Sequence, residues 1–337
     1  MNLNTTYLGL HLKSPLMPGA SPLVDDLDTV KRLEDSGAGA IVMHSLFEEQ
    51  ISGEKLASIY HMELYAESYA EAMSYFPRHS EYALGPTEYL KHIERIKRRV
   101  SVPVIASLNG VTPGGWTEYA RHIQQAGADA LELNVYHVAT DPQETGIESE
   151  TRVLDVVKAV CAVADIPVAV KLSPFYSSFA NFACQLDDAG VDGLVIFNRF
   201  YQPDIDILAL DAKPTLRLST SEELLLRLRW TSILSRQISA DIAVTGGVHT
   251  ATDAIKSIMA GAHSVQIVSA LLEHGPEYLA VIERDLRKWM QENAYETVAQ
   301  MRGSMSLSTC PDPQAFERAN YVRTLHDYRA SRNSGGN

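Results

Sequence analysis

Cysteine is scarce in this chain: three among 337 residues, Cys161, Cys184 and Cys310. They stand far apart with no CxxC pair, so they build neither a disulfide framework nor a cysteine-ligated metal or iron–sulfur centre, and a reducing cytoplasm is the expected compartment. Positive charge is also in short supply. The 29 Lys and Arg against 42 Asp and Glu give a net charge of −13, a balance that repels polyphosphates at long range and sets nucleic acid aside as a partner. No apolar run approaches the ~18 residues of a membrane span. Met1 to Leu12 shows no basic stretch followed by an apolar one, so neither export nor membrane insertion is expected. A glycine-rich turn after the first strand, the mark of an open dinucleotide-binding sheet, is missing too.

What remains is an ordinary globular composition, 45% hydrophobic and 21% charged, in a chain long enough for two domains or for one closed barrel with inserted loops. A repeated local design decides between them. Ser36–Met43, Ala126–Leu133, Ala189–Ile196 and Ala260–Ile267 each carry an Ala-Gly or Gly-Ala corner followed by an apolar run. Such a corner stops a helix in the left-handed conformation that glycine tolerates, and the run behind it suits a parallel strand covered on both faces. Between these lie strands entered through proline or an Ala-Asp corner: Ser14–Pro18, Val102–Leu108, Ile166–Leu172 and Ala240–Thr245. Amphipathic stretches such as Leu27–Asp35, Thr117–Gln125, Arg152–Val163 and Thr250–Met259 read as the helices between them. Eight alternations of β and α predict an α/β fold, the TIM (β/α)8 barrel, over residues 1–301, with a C-terminal extension and flexible tail over 302–337. Long strand-to-helix loops, Ser45–Gly85, Val135–Glu150 and Arg199–Ser221, are expected over the C-terminal mouth, and Thr5–Lys13 is expected as a hairpin closing the bottom. Pro276–Met301 reads as helical.

In a barrel the last polar residue of each strand points toward the mouth, where chemistry resides. Those positions are Ala20-Ser21, His44-Ser45, Ser107-Leu108-Asn109, Asn134 with His137, Lys171, Asn198, Thr245-Gly246-Gly247 and Val268-Ser269. Lys171, inside the apolar sequence Val-Ala-Val-Lys-Leu, needs an anionic partner or a route to water. Gly246-Gly247 and Val268-Ser269 follow the seventh and eighth strands, where barrels commonly cradle a phosphate with backbone N–H groups and a helix start.

Several of these segments fall in one familiar order: Asn4–Leu8, Ser14–Ser21, Leu133-Asn134, Val170–Pro174, Phe197-Asn198, Thr245–Val248 and Gln266–Leu271. Across roughly Leu3 to Met301 the chain resembles the class 1 dihydroorotate dehydrogenases. That resemblance implies an FMN-binding barrel that oxidises dihydroorotate to orotate, or a related substrate, as in pyrimidine biosynthesis. It implies that Lys171 faces the N1–C2=O edge of the flavin, where a fixed cation stabilises negative charge on the reduced ring. Ala20, Ser21 and Ser45 would lie with the flavin, Asn134 and Asn198 would bond flavin or substrate, and Gly246, Gly247, Val268 and Ser269 would hold the phosphate. A homodimer and a soluble electron acceptor are implied as well, and any iron–sulfur centre on the electron route would belong to a separate electron-transfer partner.

The chain departs from the family's pattern at the substrate. Where the family has an Asn-Leu-Ser-Cys-Pro-Asn loop with a cysteine or serine base, Asn134–Ala139 places His137 at the base position, and an imidazole can serve there near neutral pH. The family's lysine-serine pair after the second strand is His44-Ser45, its Gly-Leu-Pro-Asn-Leu-Gly loop is Glu81–Gly85 without asparagine, and Asn-Ser after the sixth strand is Asn198-Arg199. His44 and Arg199 offer a substitute grip on a planar or carboxylated small molecule. Three other readings stay open: a flavin-free lyase or aldolase with Lys171 as Schiff-base nucleophile, a non-catalytic FMN-binding homologue, and a tRNA-directed dihydrouridine synthase, which the acidic balance disfavours.

Overall fold

Each Ala-Gly corner does end a helix and begin a strand: Gly37, Gly127, Gly190 and Gly261 all have φ between +90° and +130°, a region that costs a side chain steric strain and glycine little. The computed structural model describes residues 1–47, 85–109, 113–135, 137–199, 203–213 and 217–313. Two short strands, β1 (Thr5–Tyr7) and β2 (Leu10–Leu12), come first. The barrel staves are β3 (Leu16–Pro18), β4 (Ile41–Phe47), β5 (Val104–Asn109), β6 (Ala130–Asn134), β7 (Val168–Leu172), β8 (Gly193–Ile196), β11 (Asp241–Thr245) and β12 (Ser264–Ile267). They form one parallel eight-stranded sheet in the order β3-β12-β11-β8-β7-β6-β5-β4. Its two edges meet where the Gly39 N–H donates to Leu16 O at 2.8 Å. All eight strands read from the sequence are therefore present, and the fold is the (β/α)8 barrel.

Around it run α1 (Leu27–Asp35), α2 (Pro86–Arg99), α3 (Pro113–Gln125), α4 (Gly146–Cys161), α5 (Phe179–Asp188), α6 (Leu224–Leu234) and α7 (Ala251–Ala260), followed by α8 (Ser269–His274), α9 (Tyr278–Glu292) and α10 (Val298–Met301). Alternate strand residues such as Ile41, Val104, Leu131, Val170, Leu194, Val244 and Val265 face these helices and form the main core with their apolar sides, the period-2 alternation that a covered sheet requires. The helix α4 starts six residues earlier than Arg152, because Thr145 and Glu148 form a reciprocal capping box at its N-terminus. The stretch Pro276–Met301 is two helices, not one: Asn293 Nδ2 donates to Trp289 O at 2.9 Å, Ala294 takes φ +59°, and the chain turns before α10. The connection after β8 carries an unanticipated hairpin, β9 (Asp204–Asp206) with β10 (Asp211–Lys213). Most of the predicted loop Ser45–Gly85, and the tail from residue 314 on, lie outside the described residues. Past α10 the chain remains on the barrel, with Gly303 N–H donating to Ile258 O and Leu307 N–H to Ser232 O, each at 3.0 Å. Among the described residues no helix is long and apolar enough to cross a membrane.

The barrel interior has its own small core. Ala40, Ala130, Ala169 and Ala243 face inward near the strand starts, and their small side chains leave a space that the barrel alone cannot fill. The antiparallel β1–β2 hairpin fills it, turning at Leu8-Gly9, where both residues have positive φ. Tyr7, Leu8 and Leu12, each at most 2% exposed, enter the alanine-lined end. Asp241 fastens the turn by accepting the Leu8 N–H at 2.8 Å, and Thr5 Oγ1 donates to His263 O at 3.1 Å.

His263 completes this clasp. Its Nδ1 accepts the Ile242 N–H at 3.1 Å, which leaves the ring proton on Nε2, 3.1 Å from Asp241 Oδ1. Burial, aided by the charge of Arg302, lowers its pKa to about 4. Because the folded value lies below the unfolded one of about 6.5, the unfolded chain binds the extra proton. This contribution to stability is complete above pH ~6.5 and is lost as pH falls toward about 4. Asp241, raised by burial, opposes this only where its own proton is gained. The thermal unfolding midpoint is expected to fall between those two pH values, and His263→Asn, whose Oδ1 can still accept from Ile242, should flatten the fall in scanning calorimetry. An unchanged slope in the variant would remove His263 from the explanation.

Candidate active site

Strand register places the predicted residues on a common level. Asn109 lies beside Asn134, and Asn134 beside Lys171, at the C-terminal tips of β5, β6 and β7. One inward rung lower, two residues back along β6, sits Glu132, 1% exposed. The Lys171 ammonium turns down to it, with Nζ 3.2 Å from Glu132 Oε1. Gln266, on the opposite side of the barrel in β12, donates its Nε2 to Glu132 Oε2 at 2.6 Å. The anionic partner that Lys171 requires is therefore inside the barrel rather than on a loop. Removing one member of such a pair leaves an uncompensated buried charge and costs about 3–5 kcal/mol.

Above this floor, Asn198 Nδ2 donates to Asn134 Oδ1 at 2.9 Å, so the two asparagines predicted from separate strands form one polar edge. Beside Asn198, at the end of β11, which pairs with β8, Gly246 and Gly247 have φ of +82° and +79°. Close approach also demands glycine there: a Cβ on Gly246 would stand 2.8 Å from Arg227 Nη2, and one on Gly247 2.5 Å from Leu224 N. Ser219 ties this turn to α8. Its Oγ accepts the Gly247 N–H at 3.3 Å and donates to Ser269 Oγ at 2.9 Å, with His249 Nε2 at 3.2 Å. Behind the turn lies the buried Arg227 guanidinium, whose Nε donates to Thr245 O at 3.0 Å and Nη1 to Glu223 O at 2.7 Å. Gly246, Gly247, Val268 and Ser269 are thus brought together, backed by a cation. Just past β3, Ser21 is buried and its Oγ has no hydrogen-bond partner among the described residues, while Ala20 packs against the barrel interior.

β4 reaches the mouth through an irregularity. Its register against β5 shifts between Val42 and Ser45, and the Tyr89 hydroxyl from α2 enters the gap. It accepts the Ser107 N–H at 2.9 Å and lies 3.0 Å from both His44 O and Ser107 O, to either of which it can donate. The bulge brings Ser45 Oγ to 2.8 Å from Ser107 Oγ. His44 lies edge-on to Tyr89, with Nδ1 2.6 Å from Asp25 Oδ1. Burial lowers the His44 pKa, with the Asp25 carboxylate opposing.

Two predicted residues stand apart from this group. His137 Nε2 is 3.1 Å from both carboxylate oxygens of Glu144 and 2.9 Å from Arg152 Nη1, and Arg152 also donates to Glu144 at 2.9 Å. Nε2 cannot donate to Glu144 and accept from Arg152 at once, so the ring's tautomer follows from which neighbour it serves. Arg199 reaches Glu223, with Nη2 to Oε1 at 3.4 Å, and is about one-third exposed. None of the described contacts joins either residue to Lys171. Sequence reasoning did not single out Glu132, Gln266, Ser219, Arg227 or Tyr89. The first two had a usable signal: each lies two residues before a mouth residue on its own strand, and strand periodicity turns both inward.

A model of the dihydroorotate dehydrogenase family matches residues 2–290. The catalytic subunit of dihydroorotate dehydrogenase B (NAD(+)) from Methanocella arvoryzae is 33% identical over 278 residues, covering 81% of this chain and 88% of the relative. The correspondingly named subunit from Methanocaldococcus jannaschii is 29% identical over 304 residues, 86% and 94% of the two chains. That from Thermoplasma acidophilum is 28% identical over 309 residues, 90% and 98%.

Tyr89→Phe removes one hydroxyl and leaves the Ser107 N–H buried without an acceptor. A loss of about 1–3 kcal/mol in unfolding free energy is expected, read from denaturant titration. A variant as stable as the parent would show that the bulge is held by other contacts.

Proposed function

The chain belongs to the dihydroorotate dehydrogenase family, and we propose that it is an FMN-dependent oxidoreductase acting on a CH–CH group, with dihydroorotate or a related carboxylated ring as donor. The observation that carries this reading is the buried Lys171 ammonium at a strand tip, flanked by the Asn134–Asn198 edge, with a glycine turn two strands along the same rim. The family works with flavin cofactors, and the residues present suit FMN. Lys171 offers a fixed cation to an electron-rich ring edge, Ser21 has an uncommitted hydroxyl, and the Gly246-Gly247 turn with Ser269 and Arg227 offers backbone donors and positive charge to a phosphate. Bound there, FMN would supply a two-electron acceptor for hydride.

The remaining roles fall to the chain's own side chains. Asn134 and Asn198 orient polar ring edges, and Ser45, Ser107 and Asn109 line the same rim. His137 takes the proton that leaves as hydride is lost, once its ring is released from Glu144 and Arg152. His44 and Arg199 grip the substrate's anionic group. A flavin-free aldolase reading is less well supported, because Lys171 Nζ already donates into an ion pair and carbonyl attack needs a free lone pair. The capture of His137 in its own ion cluster favours a second reading, an FMN-binding homologue without turnover on dihydroorotate. The electron acceptor is proposed to be a separate subunit carrying the later redox centres, and the working form a cytoplasmic homodimer.

The untreated purified protein is expected to be yellow with flavin absorbance and to bleach on anaerobic addition of dihydroorotate. Flavin bands without bleaching would leave the cofactor and retire the substrate, and a colourless protein that takes up no FMN would retire both. On the correct substrate, Arg199→Ala is expected to raise KM on the order of tenfold, the scale of one lost charge-assisted hydrogen bond. Unchanged kinetics would count against the His44–Arg199 grip.

A further inference from the structure

Glu132 is an acceptor on both oxygens, and this dictates how its neighbours are turned. Lys171 must present its ammonium to Oε1, and Gln266 must present Nε2 to Oε2. With its amide so fixed, Gln266 is left with a buried carbonyl oxygen, Oε1, that has no hydrogen-bond partner among the described residues. That oxygen is closed off from solvent. It faces the bare Cα of Gly19 at the tip of β3, where an added Cβ would stand 3.3 Å from Oε1 and 2.8 Å from Val268 Cγ2. Gly19 leads directly into Ala20-Ser21, whose hydroxyl is also buried and uncommitted.

We propose that Glu132 is a positioning residue that sets the hydrogen-bond polarity of the site floor, so that Lys171 presents a cation and Gln266 an acceptor to the ligand. A floor of this kind suits a lactam or imide edge, in which an N–H donor adjoins carbonyl or ring-nitrogen acceptors, and this inference rests on the flavin reading above. The pyrimidine-like end of an isoalloxazine has that edge. Glu132 itself need not touch the ligand.

The substitution Glu132→Gln tests it because an amide cannot accept on both of its arms. The new side chain would give its oxygen to Lys171 and its NH2 to Gln266, forcing the Gln266 amide to turn and replacing the floor's acceptor by a donor. Apo-protein prepared from each form is titrated with FMN by fluorescence quenching, and the reduction potential of bound FMN is measured. E132Q is expected to bind FMN more weakly, on the order of tenfold, the scale of one misplaced buried hydrogen bond. Its bound flavin should have a more positive potential, since a negative charge has left the floor. Glu132→Gln combined with Gln266→Glu restores both a counter-charge for Lys171 and an acceptor beside Gly19, and is expected to return affinity and potential toward wild type. E132Q indistinguishable from wild type, or a folded double variant no better than E132Q, would overturn the proposal. Should E132Q not fold, Gln266→Met keeps the ion pair and removes the acceptor: weaker FMN binding of the same order supports the proposal and unchanged binding overturns it. Wild-type apo-protein that binds no FMN at all would retire the flavin reading, a result distinct from any of these.

Discussion

An ammonium and a carboxylate share the interior of this barrel, and each makes the other tolerable. Lys171 and Glu132 lie on adjacent strands, out of reach of bulk water, where either charge alone would be prohibitively desolvated. Their pairing fixes the level at which the barrel changes character. Below it the interior is mostly apolar, with the Tyr7, Leu8 and Leu12 side chains packed into an alanine-lined end. At and above it the inward positions are serine, asparagine, glutamine and lysine. The position of the charge pair thus divides an apolar half from a polar half.

The architecture was legible because it is written in short-range signals that nothing tertiary overrides. Four Ala-Gly corners with positive φ and four proline or Ala-Asp entries gave eight strands in their observed positions. The first loop's hairpin was legible for the same reason, since Leu8-Gly9 between alternating residues is a local turn. What the sequence hid carried no repeated pattern. The break after α9 is a turn at Asn293-Ala294, closed by Tyr295 N–H donating to Met290 O at 2.9 Å and by Asn293 Nδ2 donating to Trp289 O, and the β9–β10 hairpin exposes Ile205, Ile207 and Leu208 in a stretch that no periodic pattern distinguishes from loop.

The candidate site divides along the same line. Lys171, Asn134, Asn198 and the Gly246-Gly247 turn could be named from strand ends, and the register does set the first two side by side. Strand periodicity turns Glu132 and Gln266 inward, but that they meet Lys171 could not be read. Glu132 is 39 residues from Lys171 in sequence and 134 from Gln266, and only barrel closure brings the three together. Tyr89 is equally unreadable: its hydroxyl acts on a bulge in a strand that precedes it by more than forty residues. His137 shows the opposite case, a residue found by position in a motif whose local neighbours, Glu144 and Arg152, govern its ring. Family membership accounts for the scaffold on which these residues sit.

The hairpin at the barrel's base has one further effect. Because Tyr7, Leu8 and Leu12 stopper that end, the barrel is closed at its base by its own chain, and Glu132 and Gln266, each 1% exposed, lie between that stopper and the strand tips. Any planar molecule seated across those tips would cover the remaining side. The local dielectric would then drop around charges that had already been paired before the molecule arrived, and the electrostatic field it experienced would be strongest at the moment it completed the closure.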